Sequence, residues 1–367
     1  MNPIEQMVRD ERIRGGMAIS ITAIVCADAI RRVGDAGFLQ DGHVARLLKV
    51  VQYAASTLGY PTLFFLLGLG TVACLQHSRG RFLKSVALTV LYPYLLWSIV
   101  QTGVQWFVAQ SRGYALQQIE LTRLAWAPVG QFWFLYALFV CQIVTCLTVW
   151  PRSSTSRHAL TVANRCLISA LIVVGAIVAT RSHWGIVTMT CWGLVFFLSG
   201  VLFGSRWNRH GKRTPGLLVA PATAIAFAAA AIVGQRFGDY MNPYSLPASF
   251  LGIAAAISVG GCLGLWRSSR WIVSLGSSWK PVYLLHVLAI ASTWNALLAL
   301  GISQPVVHVV LGIATGLTVP VAMYLVTRRL GIAAWAGFGE PAAAPGEDAQ
   351  FSGLAAQSPG KAVKSRA

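Results

Sequence analysis

Charged residues are scarce in this chain. Only 11% of its 367 residues are charged, against about a quarter in a typical soluble protein, and 56% belong to the hydrophobic set. Acidic residues are the scarcest, with 11 Asp and Glu against 29 Lys and Arg. This composition excludes a soluble enzyme. The formal charge of +18 does not indicate nucleic-acid binding, because the basic residues stand in short clusters between apolar runs.

Several kinds of site are also missing from the sequence. The seven cysteines form no CxxC pair and have no ligand spacing with His, so we expect them to pack as small side chains and expect no metal site. No segment has the pattern of a phosphate-binding nucleotide loop, and no Ser, His and Asp are spaced as a catalytic trio. The chemistry must therefore be sought among polar residues inside or beside the apolar runs.

Apolar runs of roughly 18 to 25 residues dominate what is present. This is the length that crosses a hydrocarbon core of about 30 Å. We therefore predict an all-α integral membrane protein, a polytopic bundle of about ten transmembrane helices. The predicted spans are 16–33, 51–75, 85–109, 131–150, 167–180, 186–204, 217–234, 248–266, 281–300 and 306–327. The fifth is short, which leaves the count at ten or eleven.

The distribution of basic residues predicts the orientation and the domains. With a cytoplasmic N-terminus, the loops on the cytoplasmic side hold more than twice as many Lys and Arg as those on the other side. Both termini are therefore predicted to be cytoplasmic, and the first span is predicted to be retained rather than cleaved as a signal. Residues 1–335 form the predicted membrane domain. Residues 336–367 are rich in Ala, Pro, Gly and Ser and are predicted to form a disordered cytoplasmic tail.

Asp28 is the only acidic residue inside a predicted span. A carboxylate in a membrane helix costs about 2.5 to 3.5 kcal/mol on insertion scales, so it needs a partner or a wet cavity. It could pair with Arg31 or Arg32 one turn away, or it could face an internal cavity as a general base or an orienting group. The sequence leaves both interpretations open.

Three histidines are candidates for the same chemistry. His286 lies in the ninth predicted span and could hydrogen-bond a neighbouring helix, orient a substrate or carry a proton. His43 lies in the first outer loop, where it could meet an acceptor substrate outside the cytoplasm. His308, near the outer start of the tenth span, is a weaker candidate.

Two further features could bind substrates. Arg79, Arg81 and Lys84 form a basic cluster between the second and third spans, which either reports topology alone or holds the phosphates of an acyl-CoA. Trp133 opens a span among other aromatic residues and could stack on a sugar ring in a cavity.

Four segments, in order, resemble the signature stretches of the family 3 membrane acyltransferases. They are "GYPTLFFLLGLG" at 59–70, "FLKSVALTVLYPYLLW" at 82–97, "GQFWFLYALF" at 130–139 and "SLGSSWKPVYLLHV" at 274–287. The resemblance runs from about residue 14 to 327. The third and fourth segments are the more specific.

The resemblance implies a membrane O-acyltransferase of the bacterial inner membrane. Such an enzyme moves an acetyl or other short acyl group from cytoplasmic acyl-CoA to a hydroxyl of a cell-surface glycan, and an exopolysaccharide repeat unit on a lipid carrier is the preferred acceptor. Acyl-CoA is then a donor substrate, with no bound cofactor. The implied partners are membrane lipid, acyl-CoA and a glycan or lipid-linked oligosaccharide, with no nucleic acid.

The chain departs from the family pattern at two histidines. Asp28 stands where the family has a His near the end of the first span, and Arg14 matches the preceding basic residue only with a gap. Gly59 and Tyr60 replace the His-Met before Pro61. Either Asp28 acts as the base, with His286 or His43 assisting, or this chain is inactive.

The resemblance suggests a scheme for catalysis. The basic cluster of Arg79, Arg81 and Lys84 would hold the CoA, Asp28 would activate the sugar hydroxyl, and His286 or Tyr283 would donate to the oxyanion, with Trp133 and His43 binding the acceptor. Two alternatives remain: a transporter or flippase of a lipid-linked saccharide, and an inactive relative that acts as an assembly partner.

Overall fold

In this computed structural model, residues 10–39, 42–75, 79–111, 127–149, 160–182, 184–207, 218–265 and 270–339 are described. These residues form helices without any strand, which confirms the predicted all-α class. The α-helices are α1 Glu11–Asp35, α2 His43–Leu75, α3 Arg79–Val86, α4 Tyr92–Ser111, α5 Trp133–Thr148, α6 Val162–Arg181, α7 Gly185–Trp207, α8 Val219–Gly234, α9 Leu246–Leu265, α10 Arg270–Ser277, α11 Trp279–Ala299 and α12 Pro305–Arg329. A π-helical turn, Ala87–Leu91, joins α3 to α4.

Ten segments of the described chain are long and apolar enough to cross a membrane, as the sequence predicts. The fifth predicted run is a complete span, because α6 has 20 residues. Since the number is even, the start of α1 and the end of α12 lie on one side of the bundle, called here the terminal face, and the other side is called the opposite face. The residues between the third and fourth predicted spans, 110–130, fall largely outside the described residues.

Helix α1 is the most buried span, with 72% of its apolar window inside the protein against 17% for α8 and 22% for α12. It contacts α2, α9, α10, α11 and α12. Glycine makes these contacts close: a Cβ on Gly15 would overlap the backbone of Gly260 in α9. A polar side chain on α1 is therefore surrounded by protein rather than lipid.

Helices α2 and α7 pack just as closely. A Cβ on Gly68 would overlap the carbonyl of Phe197, and a Cβ on Gly200 would overlap the carbonyl of Phe65. One turn after Gly200, a Cβ on Gly204 would overlap the carbonyl of Leu69 in the same way. Small residues four apart let two membrane helices approach until their backbones touch, which fixes α7 beside α2.

The chain beyond α12 folds back on α4. Tyr92 donates a hydrogen bond to the carbonyl of Trp335 at 2.6 Å, and the indole of Trp97 donates to the carbonyl of Ala336 at 2.9 Å. The Phe338 ring stacks on Trp97 and is only 5% exposed. The packed chain thus runs past the predicted boundary at residue 335 and reaches Phe338; the rest of the predicted tail, 340–367, lies outside the described residues.

Candidate functional site

Asp28 and His286 meet inside the bundle, although 258 residues separate them in the chain. Asp28 lies on α1, seven residues before its end and about 10 Å from the opposite face at 1.5 Å per residue. His286 lies on α11. Its Nε2 is 2.9 Å from Asp28 Oδ2, and the two side chains are 0% and 8% exposed. The structure therefore gives Asp28 a partner on a different helix from the one that carries Arg31.

Both ring nitrogens of His286 face acceptors. Its Nδ1 is 2.8 Å from the carbonyl of Tyr283 and 3.1 Å from that of Val282. A carbonyl cannot donate, so Nδ1 carries a proton, and a second proton lies between Nε2 and Asp28 Oδ2. That shared proton makes the Asp28–His286 pair neutral overall, whichever of the two groups holds it.

The second oxygen of Asp28 faces Arg31. Arg31 Nη1 lies 3.0 Å from Oδ1, close enough for an ion pair, but Oδ1 has no aligned hydrogen bond among the described residues. Tyr60, on α2, places its hydroxyl 3.4 Å from Oδ2, a long contact. The two interpretations left open by the sequence thus hold together: Asp28 pairs with Arg31 and also faces a cavity.

The cavity beside Asp28 has a volume of about 390 Å³ and lies toward the opposite face. Its lining combines both signs of charge with amide groups. The polar residues in it are Asp28, Arg31, Arg32, Asp35, Gln101, Gln105, Gln131 and Tyr240. Trp133 and Ile290 contribute apolar surface. His286 and Tyr60 are not in the lining, so a ligand in the cavity would contact Asp28 directly and these two residues through it.

Two glutamines form a reciprocal amide pair in the cavity wall. Gln131 Nε2 donates to Gln101 Oε1 at 2.7 Å, and Gln101 Nε2 donates to Gln131 Oε1 at 3.2 Å. Each primary amide has a second N–H that this pair does not use. Tyr283, predicted as an oxyanion donor, is fully buried and donates instead to the backbone carbonyl of Gln131. The geometry thus makes Tyr283 a support for the amide pair.

Aromatic rings form the side of the site against α2. The Tyr60 ring lies 5.1 Å from that of Trp133 and is stacked at 6.1 Å on that of Tyr240. Burial raises the pKa of Tyr240, which lies in the loop between α8 and α9, so its hydroxyl stays protonated. The structure places Trp133 where the sequence predicts it, at the cavity, although it is only 6% exposed.

The other predicted substrate-binding residues lie away from the cavity. His43 is exposed at the start of α2, with its Nδ1 3.4 Å from Nη2 of Arg46. Arg81 and Lys84 are exposed on α3, and Arg79 donates to the carbonyl of Val149 at 3.2 Å. This basic cluster lies at the terminal face, and about 25 Å of α1 separates that face from Asp28.

Sequence reasoning missed four residues of the site. Tyr60 carried a signal, because it stands in a family segment at a departure from the pattern. Gln131 lies in another such segment. Gln101, a polar residue in an apolar span, is only a weak signal, and nothing in the sequence indicates that Tyr240 lies near Asp28.

Comparison with known proteins gives one family match. The family described as acyltransferase domain, acyltransferase family 3, matches residues 12–325 of the chain. No curated protein and no solved structure matches it. The matched region contains every residue of the cavity and the Asp28–His286 pair. The chain therefore belongs to acyltransferase family 3.

Proposed function

We propose that this protein is an active membrane O-acyltransferase that moves a short acyl group from acyl-CoA to a hydroxyl of a cell-surface glycan. The observation that carries the proposal is the placement of Asp28. It is the only buried acid among the described residues, it lines a cavity large enough for a sugar unit, and its Oδ2 is held by His286.

In this proposal Asp28 is the general base and His286 its positioning residue. Both nitrogens of His286 are occupied and the ring does not line the cavity, so it cannot meet the acceptor. Asp28 itself lines the cavity, and its Oδ1 has no aligned hydrogen bond among the described residues. In this arrangement Asp28 meets the substrate and His286 lies behind it, so Asp28 takes the role of the histidine that the family has near the end of the first span.

The transfer then proceeds by addition and elimination. The acceptor hydroxyl forms a C–O bond to the thioester carbonyl while its proton passes to Asp28 Oδ1. The unused N–H groups of Gln101 and Gln131 stabilise the oxyanion. The C–S bond breaks, and the CoA thiolate leaves with the proton that Asp28 returns. The products are the O-acyl glycan and CoA.

The donor and the acceptor enter from different sides in this proposal. The cavity opens toward the opposite face, where a glycan outside the cytoplasm would arrive. The exposed Arg81 and Lys84 at the terminal face would bind the donor phosphates, with that face in the cytoplasm. Because about 25 Å of α1 lies between the two, the acyl group has to travel from the terminal face into the bundle to reach Asp28. A bacterial inner membrane satisfies both requirements.

The test is acyl transfer to the natural acceptor. Polysaccharide isolated from a strain that lacks the gene serves as an acceptor without the acyl group, and the purified full chain is incubated with it and radiolabelled acetyl-CoA. We expect label in the polysaccharide as an alkali-labile ester with wild type and none with Asp28→Asn.

Two results would contradict the proposal. Polysaccharide from the deletion strain that already carries its full set of O-acyl groups, but is reduced in amount at the surface, would indicate transport or assembly. Label incorporated equally by wild type and Asp28→Asn would remove Asp28 from the chemistry.

A further inference from the structure

The buried site carries a positive charge that its own residues do not neutralise. Because one proton is shared between Asp28 and His286, that pair is neutral, and Asp28 cannot cancel the charge of Arg31 as well. The other charged groups in the cavity lining, Arg32 and Asp35, carry opposite charges and add no net charge. Arg31 therefore supplies the surplus charge.

Arg31 is also placed to meet a ligand. Its side chain is 37% exposed and lines the cavity, whereas its partner Asp28 is 8% exposed. The ion pair at 3.0 Å lacks an aligned hydrogen bond to Oδ1, so most of the five N–H donors of the guanidinium are not committed to Asp28. A charge of this kind in a partly dry cavity strongly favours an anion.

We propose that Arg31 forms an anion subsite in the cavity and that the acceptor carries an anionic group, a sugar carboxylate or a phosphate, next to the hydroxyl that is acylated. This inference rests on the proposed function and names the class of its acceptor. Tyr240, with its protonated hydroxyl in the same lining, provides a second donor to the anion. A neutral sugar would leave the charge of Arg31 without a partner.

Anion binding would also free the base. As long as Arg31 stays 3.0 Å from Oδ1, its guanidinium occupies the side of the carboxylate that has to accept the proton. An acceptor anion that draws the guanidinium toward itself removes this effect at the moment when the hydroxyl arrives. The subsite would thus couple acceptor recognition to activation of Asp28.

The binding test compares three small sugars on the purified full chain in detergent: methyl β-D-glucuronide, methyl β-D-glucoside and glucose 1-phosphate. The readout is the shift in unfolding temperature as each sugar is titrated, which does not depend on activity. We expect the carboxylate or the phosphate sugar to stabilise the wild type at concentrations where the neutral glucoside has no effect. Whichever anion acts identifies the source of the charge.

Variants of Arg31 assign the effect to the subsite. Arg31→Gln should weaken binding of the anionic sugar roughly tenfold or more and leave the glucoside unchanged. Arg31→Lys keeps the charge and should retain part of the preference. Arg236→Gln, which removes an exposed arginine outside the cavity lining, is the matched control and should bind as wild type does.

The results separate this inference from the proposed function. Equal shifts with charged and neutral sugars, no shift with any of them, or a preference for the anion that survives in Arg31→Gln would overturn the subsite, even if acyl transfer to the polysaccharide is observed. If the protein bound the anionic sugar through Arg31 but had no transfer activity, the subsite would be supported and the proposed acyltransferase activity would be ruled out.

Discussion

The two buried histidines among the described residues differ in the partner of one ring nitrogen. His286 on α11 and His308 on α12 are 0% and 3% exposed, and each has one nitrogen against a backbone carbonyl. The second nitrogen of His286 faces Asp28, whereas Nδ1 of His308 has no hydrogen-bond partner among the described residues.

His308 packs against the loop between α11 and α12. Its Nε2 lies 2.8 Å from the carbonyl of Ile302, and its ring packs 4.3 Å from that of Trp294. The guanidinium of Arg32 lies over the Trp294 ring, 5.9 Å from its centroid. His308 thus closes the turn between two spans, while His286 shares a proton. The two histidines are alike in burial and differ in the partner of the second ring nitrogen.

The largest effect should follow when Asp28 is made unable to accept a proton. Asp28→Asn keeps the size of the side chain, but we expect the kcat for acyl transfer to fall roughly 10²- to 10⁴-fold, the usual contribution of a general base. Transfer assays on purified full-length protein would measure this. Glu11→Gln, which removes an exposed acid of the same helix outside the cavity lining, is the control and should stay within a few-fold of wild type. A similar loss in both variants would indicate a general charge effect.

A smaller loss should follow when Asp28 keeps its charge but loses its positioning residue. His286→Gln retains one donor and removes the shared proton, and we expect kcat to fall about tenfold to a hundredfold, as for the loss of a charge-assisted hydrogen bond. The double variant with Asp28→Asn should be no worse than Asp28→Asn alone, because the two residues act as a unit. Additive losses would show that His286 acts independently of Asp28.

Tyr60 should matter less, since its hydroxyl reaches Asp28 Oδ2 only at 3.4 Å. Tyr60→Phe keeps the ring against Trp133, and we expect a loss of about twofold to tenfold in kcat from the missing hydrogen bond. Steady-state kinetics with the same acceptor would show it. A loss as large as that of Asp28→Asn would mean that the tyrosine hydroxyl itself takes part in proton transfer.

The smallest effect on activity should come from His308. His308→Gln can still donate to the carbonyl of Ile302, so we expect activity within about twofold of wild type and a stability loss of about 0.5 to 1.5 kcal/mol. Activity and thermal unfolding measured on the same sample separate the two effects. If His308→Gln inactivated a folded protein, the distinction between the two histidines would be lost.

The fold was largely predictable, because segments that insert into a membrane can be recognised from their local composition. Each span is a continuous apolar run, and the ten runs in the sequence correspond to ten helices, with α2 beginning at His43 rather than at residue 51. Local composition does not show which helices are neighbours in the bundle. Every apolar run suits lipid as well as protein, and only close glycine contacts such as Gly68 with α7 fix which helices touch.

The site was predictable in part for the same reason. Asp28 and His286 can each be recognised in the sequence, because inserting a polar side chain into a membrane costs free energy. Their pairing depends on α1 lying beside α11, which no local pattern reveals. The contact of Tyr283 with Gln131 and the pair formed by Gln101 and Gln131 likewise depend on how α4, α5 and α11 meet.

The segment after α12 has a practical consequence for anyone who shortens or labels this protein. Truncation at Arg329 would remove the two carbonyls that accept hydrogen bonds from Tyr92 and Trp97, and would uncover the face of Trp97 that Phe338 protects. The truncated protein would expose the apolar indole ring of Trp97 during extraction into detergent. An affinity tag or a fluorescent fusion therefore belongs beyond Gly339, where it leaves this cover in place.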